Sequence, residues 1–401
     1  MNGTPSGERV HIGFFGVRNA GKSSLVNAIT GQDLAVVSNT AGTTTDLVSK
    51  AMELLPVGPV SIIDTPGIDD VGELGALRVE KTRKALRRCH MAVLVSQTGR
   101  APLPAEKELM ALFKQRGIPF VVALNKADLL EGEDREADGP PCGEAPDFPR
   151  IAVSALTGQG VYELKELMAS LAKDAKTERC LVADLLDPGD AVVLVIPIDS
   201  SAPKGRIILP QQMVLRDALD AHASAFCCQP AELPGVLASL HAPPRLVITD
   251  SQVFAQVEAM VPADVPLTSF SILMARYKGV LDEWAQAAQA LAGLTDADTV
   301  LISEGCTHHR QCDDIGTVKI PAWVRAHCGA NPSFEFTSGG GFPEDLTPYS
   351  AIIHCGGCML NEREMAYRAQ AARAAGVPFV NYGVAIAKMN GILDRAMAPL
   401  R

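Results

Sequence analysis

The sequence has little basic charge and no long hydrophobic run. Its 401 residues carry 36 Lys and Arg against 46 Asp and Glu, a net charge of −10. This balance disfavours broad binding to nucleic acid, although it does not exclude a local basic patch. No apolar run approaches the ~18 residues of a membrane-spanning helix, and the first ten residues are polar, unlike a secretion signal. We therefore expect a cytoplasmic protein with neither a membrane nor a nucleic acid as its partner.

The chain does have enough hydrophobic residues, 47%, to bury a substantial core. Its length fits two or three domains. Its ten cysteines, without a signal for export, indicate a reducing compartment. Thiols in such a compartment are more often buried, catalytic or metal-bound than paired in disulfides.

A glycine-rich loop between an apolar run and a helical pattern is the most informative segment. Residues 16–23 have the spacing G-x-x-x-x-G-K-S of a phosphate-binding loop. Gly16 and Gly21 allow the backbone to approach a phosphate closely, and the N–H groups at the start of the helix attract the anion. Lys22 supplies a charge for the outer phosphates, and the Ser23 hydroxyl can bind Mg²⁺. The alternative is an ordinary glycine turn with a chance lysine.

Three later motifs each follow a predicted strand: Asp64-Thr65-Pro66-Gly67, Asn125-Lys126-Ala127-Asp128 and Ser154-Ala155-Leu156. Asp64 can hold Mg²⁺ through water, and the Gly67 N–H can contact a γ-phosphate. The Asp128 carboxylate can accept two N–H bonds from a guanine edge, and the Ser154 segment offers backbone groups to the guanine oxygen. Because open α/β sheets bind ligands at the carboxyl ends of their strands, we expect one shared site.

The order of these motifs resembles the translation-factor-like GTPases. The loop and the stretch Gly42–Asp46 resemble the branch that contains the tRNA-modifying GTPase TrmE. This resemblance implies that Asn19 binds an activating K⁺ and that Thr44 binds Mg²⁺. Ile68 stands where Ras-like enzymes place a water-orienting Gln, so we expect slow GTP hydrolysis that K⁺ stimulates. From the residues alone, Asn19 could instead cap the loop, and Thr44 could lie in an ordinary polar loop.

The expected ligands of this site are GTP or GDP, Mg²⁺ and K⁺. The candidate nucleotide-binding residues are Gly16, Asn19, Gly21, Lys22, Ser23, Ser24, Asp64, Asn125, Lys126, Asp128, Ser154 and Ala155. The candidates for the catalytic step are Lys22, Asn19, Thr44 and Gly67, and those for Mg²⁺ are Ser23, Thr44 and Asp64.

The middle of the chain, residues 176–270, alternates strand and helix patterns, which indicates a small α/β domain. It lacks a phosphate loop. Ile207–Leu209 is expected as a strand and Gln211–Ser224 as a helix. The adjacent Cys227 and Cys228 are poor chelators of a single ion, and we interpret them as buried hydrophobic residues. The pattern favours a scaffold or dimerisation role.

In the last third of the chain, cysteines follow two predicted strands. Thr299–Ser303 leads to Cys306, and Ala351–Ile353 leads to Cys355 and Cys358. In one parallel sheet these strand ends would lie side by side, so the three thiols could converge. The two glycines between the last two cysteines have no side chains, so their N–H groups could reach a sulfide. The spacing leaves three alternatives: an iron–sulfur cluster, a zinc site completed by a histidine, and a redox-active dithiol.

The cysteine pattern is similar to that of the [FeFe]-hydrogenase maturation GTPases, the HydF family. Cys306-Thr307-His308 is followed, after 45 residues, by His354-Cys355-Gly356-Gly357-Cys358. This gap is about one residue shorter than the family pattern. The likeness extends through 189–199 and 246–252 and covers nearly the whole chain.

The HydF resemblance implies three α/β domains: a P-loop GTPase domain at 1–175, a dimerisation domain at 176–270 and a cluster-binding domain at 271–401. It also implies a [4Fe-4S] cluster on Cys306, Cys355 and Cys358. The fourth iron would then be open, or weakly bound by His354 or His308.

The implied function is that of a homodimeric scaffold that hydrolyses GTP. It would receive a diiron precursor from two radical-SAM enzymes and deliver it to apo-[FeFe]-hydrogenase. The alternative is a regulatory GTPase that acts in RNA or ribosome assembly, with a zinc-binding or redox-sensing C-terminal domain. The acidic composition disfavours that alternative.

Overall fold

The computed structural model describes residues 4, 6–31, 49–65, 73–129, 148–175, 179–198, 207–305 and 314–401. The chain divides into two compact units, 1–177 and 178–401. Four residues discussed above, Thr44, Gly67, Ile68 and Cys306, lie outside the described residues, and so does His308.

The first unit is built on a mixed sheet. Its described strands are β1 (Val10–Phe15), β2 (Ser49–Leu54), β3 (Gly58–Asp64), β4 (Met91–Gln97), β5 (Phe120–Asn125) and β6 (Arg150–Ala152). They follow the order β2-β3-β1-β4-β5-β6. β2 pairs with β3 antiparallel and the other pairs are parallel, with Phe14 opposite Asp64 and Phe15 opposite Leu94.

Helices cover both faces of this sheet, which is why β1, β4 and β5 are apolar almost throughout. The helices are α1 (Lys22–Thr30), α2 (Glu73–Arg88), α3 (Pro104–Gln115) and α4 (Val161–Ala175). One core contains side chains of α1 and α4, such as Leu25 and Met168, and the other contains those of α2 and α3, such as Leu86 and Phe113. The phosphate loop, Asp64, Asn125 and Ser154 lie at or just after the carboxyl ends of parallel strands, at the same edge of the sheet.

The second unit contains two parallel sheets. The strands of the first are β7 (Ala191–Val195), β8 (Ser224–Cys228), β9 (Leu246–Thr249) and β10 (Leu267–Ser269), in the order β10-β9-β7-β8. The strands of the second are β11 (Thr299–Glu304), β12 (Ser333–Ser338), β13 (Ala351–His354) and β14 (Phe379–Asn381), in the order β12-β11-β13-β14.

The described helices of this unit are α5 (Leu209–Asp220), α6 (Leu233–Ser239), α7 (Phe254–Glu258), α8 (Phe270–Tyr277), α9 (Leu281–Ala287), α10 (Ile320–Cys328), α11 (Glu362–Ala374), α12 (Tyr382–Met389) and α13 (Leu393–Met397). One hydrophobic core joins the two sheets, because it contains Val193 and Val247 of the first and Val300 and Ile352 of the second. The α/β class predicted from the sequence is confirmed. The predicted boundary between residues 270 and 271 stays a prediction.

Two expectations for the middle of the chain are wrong. Ile207–Leu209 is no strand, because α5 begins at Leu209 and Pro210 occupies its first turn, where a proline is tolerated. Cys227 is exposed rather than buried, because β8 is an edge strand of its sheet. Cys228 is half-buried, and burial together with the nearby Glu232 and Cys227 raises the pKa of its thiol to about 11.

Candidate functional site

Three residues with positive φ shape the loop after β1. The φ angles of Gly16, Asn19 and Gly21 are 151°, 62° and 87°. A Cβ at Gly16 would collide with the Val95 carbonyl oxygen, and one at Gly21 with the Asn125 side-chain nitrogen. The loop therefore packs directly against the ends of β4 and β5, and α1 begins immediately after it. The first N–H groups of a helix have no partner within the helix, so this end can bind an anion.

The Lys22 ammonium lies within this loop. Lys22 is 9% exposed, and its Nζ donates to the carbonyl oxygens of Gly16 at 3.0 Å and Val17 at 3.1 Å. These bonds hold a positive charge at the mouth of the loop. A phosphate that binds there would meet a cation already in place.

Asp64 and Ser23 lie next to each other below the loop, at the end of β3 and the start of α1. Partial removal of water from the Asp64 carboxyl raises its pKa. The Lys22 ammonium and a hydrogen bond from Ser23 lower the pKa by a smaller amount. Hydroxyl and carboxylate oxygens are the ligands that Mg²⁺ prefers. The pair therefore fits a magnesium site. Thr44, the third residue predicted to bind Mg²⁺, and Gly67, predicted to contact the γ-phosphate, lie outside the described residues.

Asn125 connects the loop to the last motif. Its side chain is 2% exposed. Its Nδ2 donates to the Ala20 carbonyl at 3.0 Å, and its Oδ1 accepts from the Ala155 N–H at 3.1 Å. Asn125 thus joins elements that lie 105 and 30 residues away in the sequence, which makes it a structural centre of the site.

The Asp128 carboxylate is held by the neighbouring Ser154. The Ser154 hydroxyl donates to Asp128 Oδ1 at 2.5 Å and accepts from the Thr157 N–H at 3.1 Å. Lys126, between Asn125 and Asp128, has φ 67°, a backbone conformation that is uncommon outside glycine. The described residues therefore bring together groups that could hold an anion, Mg²⁺ and a base, as a nucleoside phosphate requires.

The second candidate site lies at the carboxyl ends of β11 and β13. Ser303 and His354 are opposite each other in the two strands, and the Cys355 N–H donates to the Ser303 carbonyl at 2.9 Å. The segment 355–360, here called the cysteine loop, follows. Its first thiol, Cys355 Sγ, accepts N–H bonds from Gly305 at 3.0 Å and Gly357 at 3.4 Å. N–H groups directed at sulfur suit an iron–sulfur cluster, whose potential they tune.

The two strand ends lie side by side as the sequence predicts, but the third thiol, Cys306, lies outside the described residues. Among the described residues, His, Cys, Asp and Glu side chains form no group of three or more that could hold a metal ion. Of the three cysteines predicted to bind the cluster, Cys355 and Cys358 lie in the described residues. Burial raises the pKa of the Cys358 thiol, whereas the ammonium of Lys278 and two backbone N–H groups lower it.

His354 is fully buried, and both of its ring nitrogens have partners. Arg368 Nη1 lies 2.9 Å from His354 Nε2, and the Cys355 carbonyl oxygen lies 2.7 Å from His354 Nδ1. Because a guanidinium can only donate, Nε2 accepts and Nδ1 carries the hydrogen. Burial and the Arg368 charge lower the pKa of His354 to about 3, against the effect of the Cys355 carbonyl. Direct metal binding by His354 would replace one of these bonds, and it stays a prediction.

Two residues that surround the cysteine loop were missed in the sequence. Arg368 is 1% exposed, and it donates to Glu364 at 2.9 Å and to the Gly339 carbonyl at 2.8 Å, besides His354. Lys278 is 6% exposed. The spacing of Glu364 and Arg368, one helical turn apart, was a visible signal. No local pattern connects Lys278 with residues 82 positions away.

Family comparisons divide the chain into three parts. Residues 11–126 match a family model described as 50S ribosome-binding GTPase. Residues 181–279 match the hydrogen maturase F dimerization domain, and residues 282–399 match the hydrogen maturase F tetramerization domain.

Curated relatives match about two fifths of this chain. The tRNA modification GTPase MnmE of Chromobacterium violaceum is 36% identical over 159 residues, which are 39% of this chain and 34% of the relative. The GTPase Der of Wolinella succinogenes is 31% identical over 163 residues, again 39% of this chain and 34% of the relative. The chain thus spans about a third of the length of these relatives.

Solved structures also match part of the chain. The bacterial selenocysteine-specific elongation factor EF-Sec is 20% identical and aligns with 43% of this chain and 30% of its own, with a TM-score of 0.34. The G domain of the T. maritima FeoB iron transporter is 21% identical and aligns with 41% of this chain and 99% of its own, with a TM-score of 0.31.

In the part of the chain that the structure describes, no helix is both long and apolar enough to cross a membrane. The two matches to hydrogen maturase F domains follow one another from residue 181 to residue 399. The GTPase match precedes them, in the order that the sequence motifs predict. The chain therefore belongs to the hydrogen maturase F family, with a GTPase domain followed by the dimerization and tetramerization domains of that family.

Proposed function

We propose that this protein is a cytoplasmic hydrogenase-maturation scaffold that hydrolyses GTP. In this proposal it binds a [4Fe-4S] cluster on Cys306, Cys355 and Cys358 and works as a homodimer or larger assembly. It receives a diiron precursor from two radical-SAM enzymes and delivers it to apo-[FeFe]-hydrogenase. The succession of two hydrogen maturase F domains behind a GTPase domain is the observation that carries the proposal.

The nucleotide half of the proposal is supported by the geometry of the loop. The N-terminus of α1 and Lys22 receive the phosphates, and Ser23 and Asp64 hold Mg²⁺, which would neutralise charge on the phosphates when bound. Asp128, fixed by Ser154, accepts the N–H groups of guanine. Asn19 would help to bind K⁺ near the phosphates, Thr44 would bind Mg²⁺, and the Gly67 N–H would contact the γ-phosphate.

The cluster half is supported by the environment of Cys355. Two backbone N–H groups already donate to its sulfur, and one of them belongs to Gly305, the residue before Cys306. Gly357 has φ 62°, and a Cβ there would collide with the Met365 sulfur. Thiolates hold an iron–sulfur cluster, and N–H groups near their sulfurs tune its potential; the cluster would supply an open iron for the diiron unit.

The competing function is a regulatory GTPase of RNA or ribosome assembly with a zinc or dithiol domain. The description of the model matched by residues 11–126 names ribosome binding. That match is confined to the first domain, whereas the thiols lie in the part that matches hydrogen maturase F. The scaffold is therefore favoured.

Metal analysis after anaerobic purification tests the proposal. We expect iron and sulfide in equal amounts, and an EPR signal after reduction. Cys355→Ser should lose the iron, whereas Cys180→Ser, which changes an exposed thiol of the same unit, should keep it. Stoichiometric zinc without iron would favour the competing function.

A second variant separates the two sites. Lys22→Ala should abolish GTP hydrolysis and leave the iron content unchanged, because Lys22 and the thiols lie in different compact units. Loss of iron in this variant would contradict the separation.

A further inference from the structure

Thr65 directly follows Asp64, the residue at the end of β3 that could bind Mg²⁺. Thr65 is 4% exposed. Its hydroxyl donates to the Phe14 carbonyl in β1 at 2.6 Å, although the two residues are 51 positions apart in the sequence. A buried hydroxyl is seldom left without a partner. This bond fixes the end of β3 against β1.

The residue that accepts this bond also pairs with Asp64 itself. Phe14 and Asp64 are partners in the parallel ladder of β1 and β3. Asp64 is therefore held by the ladder and also by the residue that follows it. The Thr65 N–H adds a further contact, because it donates to the Asp64 carboxylate. The orientation of that carboxylate thus depends on the position of Thr65.

The sequence after Thr65 limits its backbone as well. Pro66 has no N–H, and it disfavours a helical conformation of the residue before it. β3 ends at Asp64, so the hydroxyl of the next residue continues the contact with β1 beyond the end of the strand. Side chain and backbone together leave Thr65 little freedom.

The same bond links the two residues of the magnesium site. Phe14 lies two residues before Gly16, where the phosphate loop begins, and Ser23 lies just after the loop, in the first turn of α1. Mg²⁺ demands nearly ideal octahedral geometry. Its oxygen ligands must therefore keep a defined separation, and Thr65 ties the strand that ends in Asp64 to the strand that leads to Ser23.

We propose that Thr65 is a positioning residue of the magnesium site, whose hydroxyl bond to Phe14 holds the Asp64 carboxylate in the orientation that Mg²⁺ needs. This inference rests on the proposed nucleotide site. Replacing a residue that orients a metal-binding group typically weakens metal binding by about 10–100-fold. Because Asp64 is expected to reach Mg²⁺ through water, we expect the lower end of this range.

Magnesium titration of the full chain with bound GDP tests this role without relying on hydrolysis. The release rate of a fluorescent GDP analogue, followed over a range of Mg²⁺ concentrations, gives the apparent dissociation constant for Mg²⁺. Wild type is compared with Thr65→Val, which keeps the shape but lacks the hydroxyl, and with Thr65→Ser, which keeps the hydroxyl. Thr30→Val is the matched control, because the Thr30 hydroxyl donates to the Val26 carbonyl at 2.8 Å, at the end of α1 away from the loop.

Thr65→Val should raise the apparent Mg²⁺ dissociation constant by about tenfold and leave the affinity for GDP in EDTA unchanged. Thr65→Ser and Thr30→Val should keep the wild-type constant. The inference fails if Thr65→Val keeps it too, or if Thr65→Ser or Thr30→Val raises it as much. It also fails if Thr65→Val does not fold or binds GDP more weakly in EDTA, since the hydroxyl then supports the domain as a whole. If wild type binds no GDP, the proposed nucleotide site fails, and this inference fails with it.

Discussion

At the scale of single residues, the nucleotide site depends on side chains whose positions are fixed before a ligand arrives. Asn125 bonds to the phosphate loop and to Ala155, and Ser154 holds Asp128. Fixed groups lose little conformational freedom on binding, so a larger part of each contact contributes to affinity. The roles of Asp128 and Asn19 can therefore be tested by small changes.

Asp128→Asn should weaken GTP binding and favour xanthosine triphosphate. The amide keeps an oxygen for the Ser154 hydroxyl but loses one acceptor and the charge, so its donor N–H suits the oxygen of xanthine. Loss of a charge-assisted bond costs about 1.5–3 kcal/mol, a roughly ten- to 150-fold weaker affinity, measured by equilibrium titration of each nucleotide. Unchanged affinity for GTP would remove the assignment of Asp128 to the base.

GTP hydrolysis should be faster in K⁺ than in Na⁺, because the proposed role of the Asn19 amide is to bind the larger cation. Asn19→Gly is the matched variant, because glycine accepts the φ of 62° at this position but has no amide. It should remove the difference between the two salts in a phosphate-release assay. Equal rates for wild type in both salts would exclude a role for K⁺.

His354 should make the stability of the second unit depend on pH. It is neutral and buried, with a pKa of about 3 when folded against about 6.5 when unfolded. The unfolded state therefore binds the extra proton first, and stability is lost as pH falls below about 6.5. The loss should approach 1.36 kcal/mol per pH unit until the folded pKa is reached.

Urea unfolding of the metal-free chain at several pH values measures this dependence. His354→Asn should flatten it, and His241→Asn, which changes an exposed histidine of the same unit, should not. A steep dependence that persists in His354→Asn would assign it to other groups.

At the scale of elements, α11 is secured to the sheet by one buried arginine. Arg368 reaches Glu364 within its own helix, His354 at the end of β13 and the Gly339 carbonyl after β12. Its guanidinium also lies 4.9 Å from the centre of the Phe342 ring. The helix after the cysteine loop is therefore held by a cation that connects it to two strands.

Arg368→Met should destabilise the second unit by about 3–5 kcal/mol, the cost of leaving a buried partner without its counter-charge. Arg373→Met is the control on the same helix, since Arg373 pairs with Glu283 on the surface. Urea unfolding of both variants compares them. Similar losses in the two would show that the buried network adds nothing beyond a surface ion pair.

The elements also differ in how well the sequence predicts them. β1, β5 and β11 are buried apolar runs that end in motifs, so the sequence pattern indicates all three; the range predicted for β11, Thr299–Ser303, ends one residue early. β12 and β8 were missed, because each is an edge strand that is largely exposed and mixes polar with apolar residues. Local pattern also predicted the phosphate loop and the cysteines. The contact of Lys278 with Leu360 comes only from tertiary packing, which no local pattern encodes.

At the scale of the whole molecule, the two compact units should unfold separately. Each has its own hydrophobic core. Calorimetry of the full chain should therefore give two transitions, of which GTP with Mg²⁺ shifts only one, by about 2.7 kcal/mol at 100 times the dissociation constant. Lys22→Ala should abolish that shift. A single transition, or a shift of both, would contradict independent units.

The second unit is different, since one interior belongs to both of its sheets. A chain cut between them would bare apolar surface on each fragment, and neither piece would remain monodisperse. A subunit contact through either sheet would therefore change the packing of the same hydrophobic core against which Cys355 packs. A change that weakens subunit association would then also weaken metal binding at the thiols.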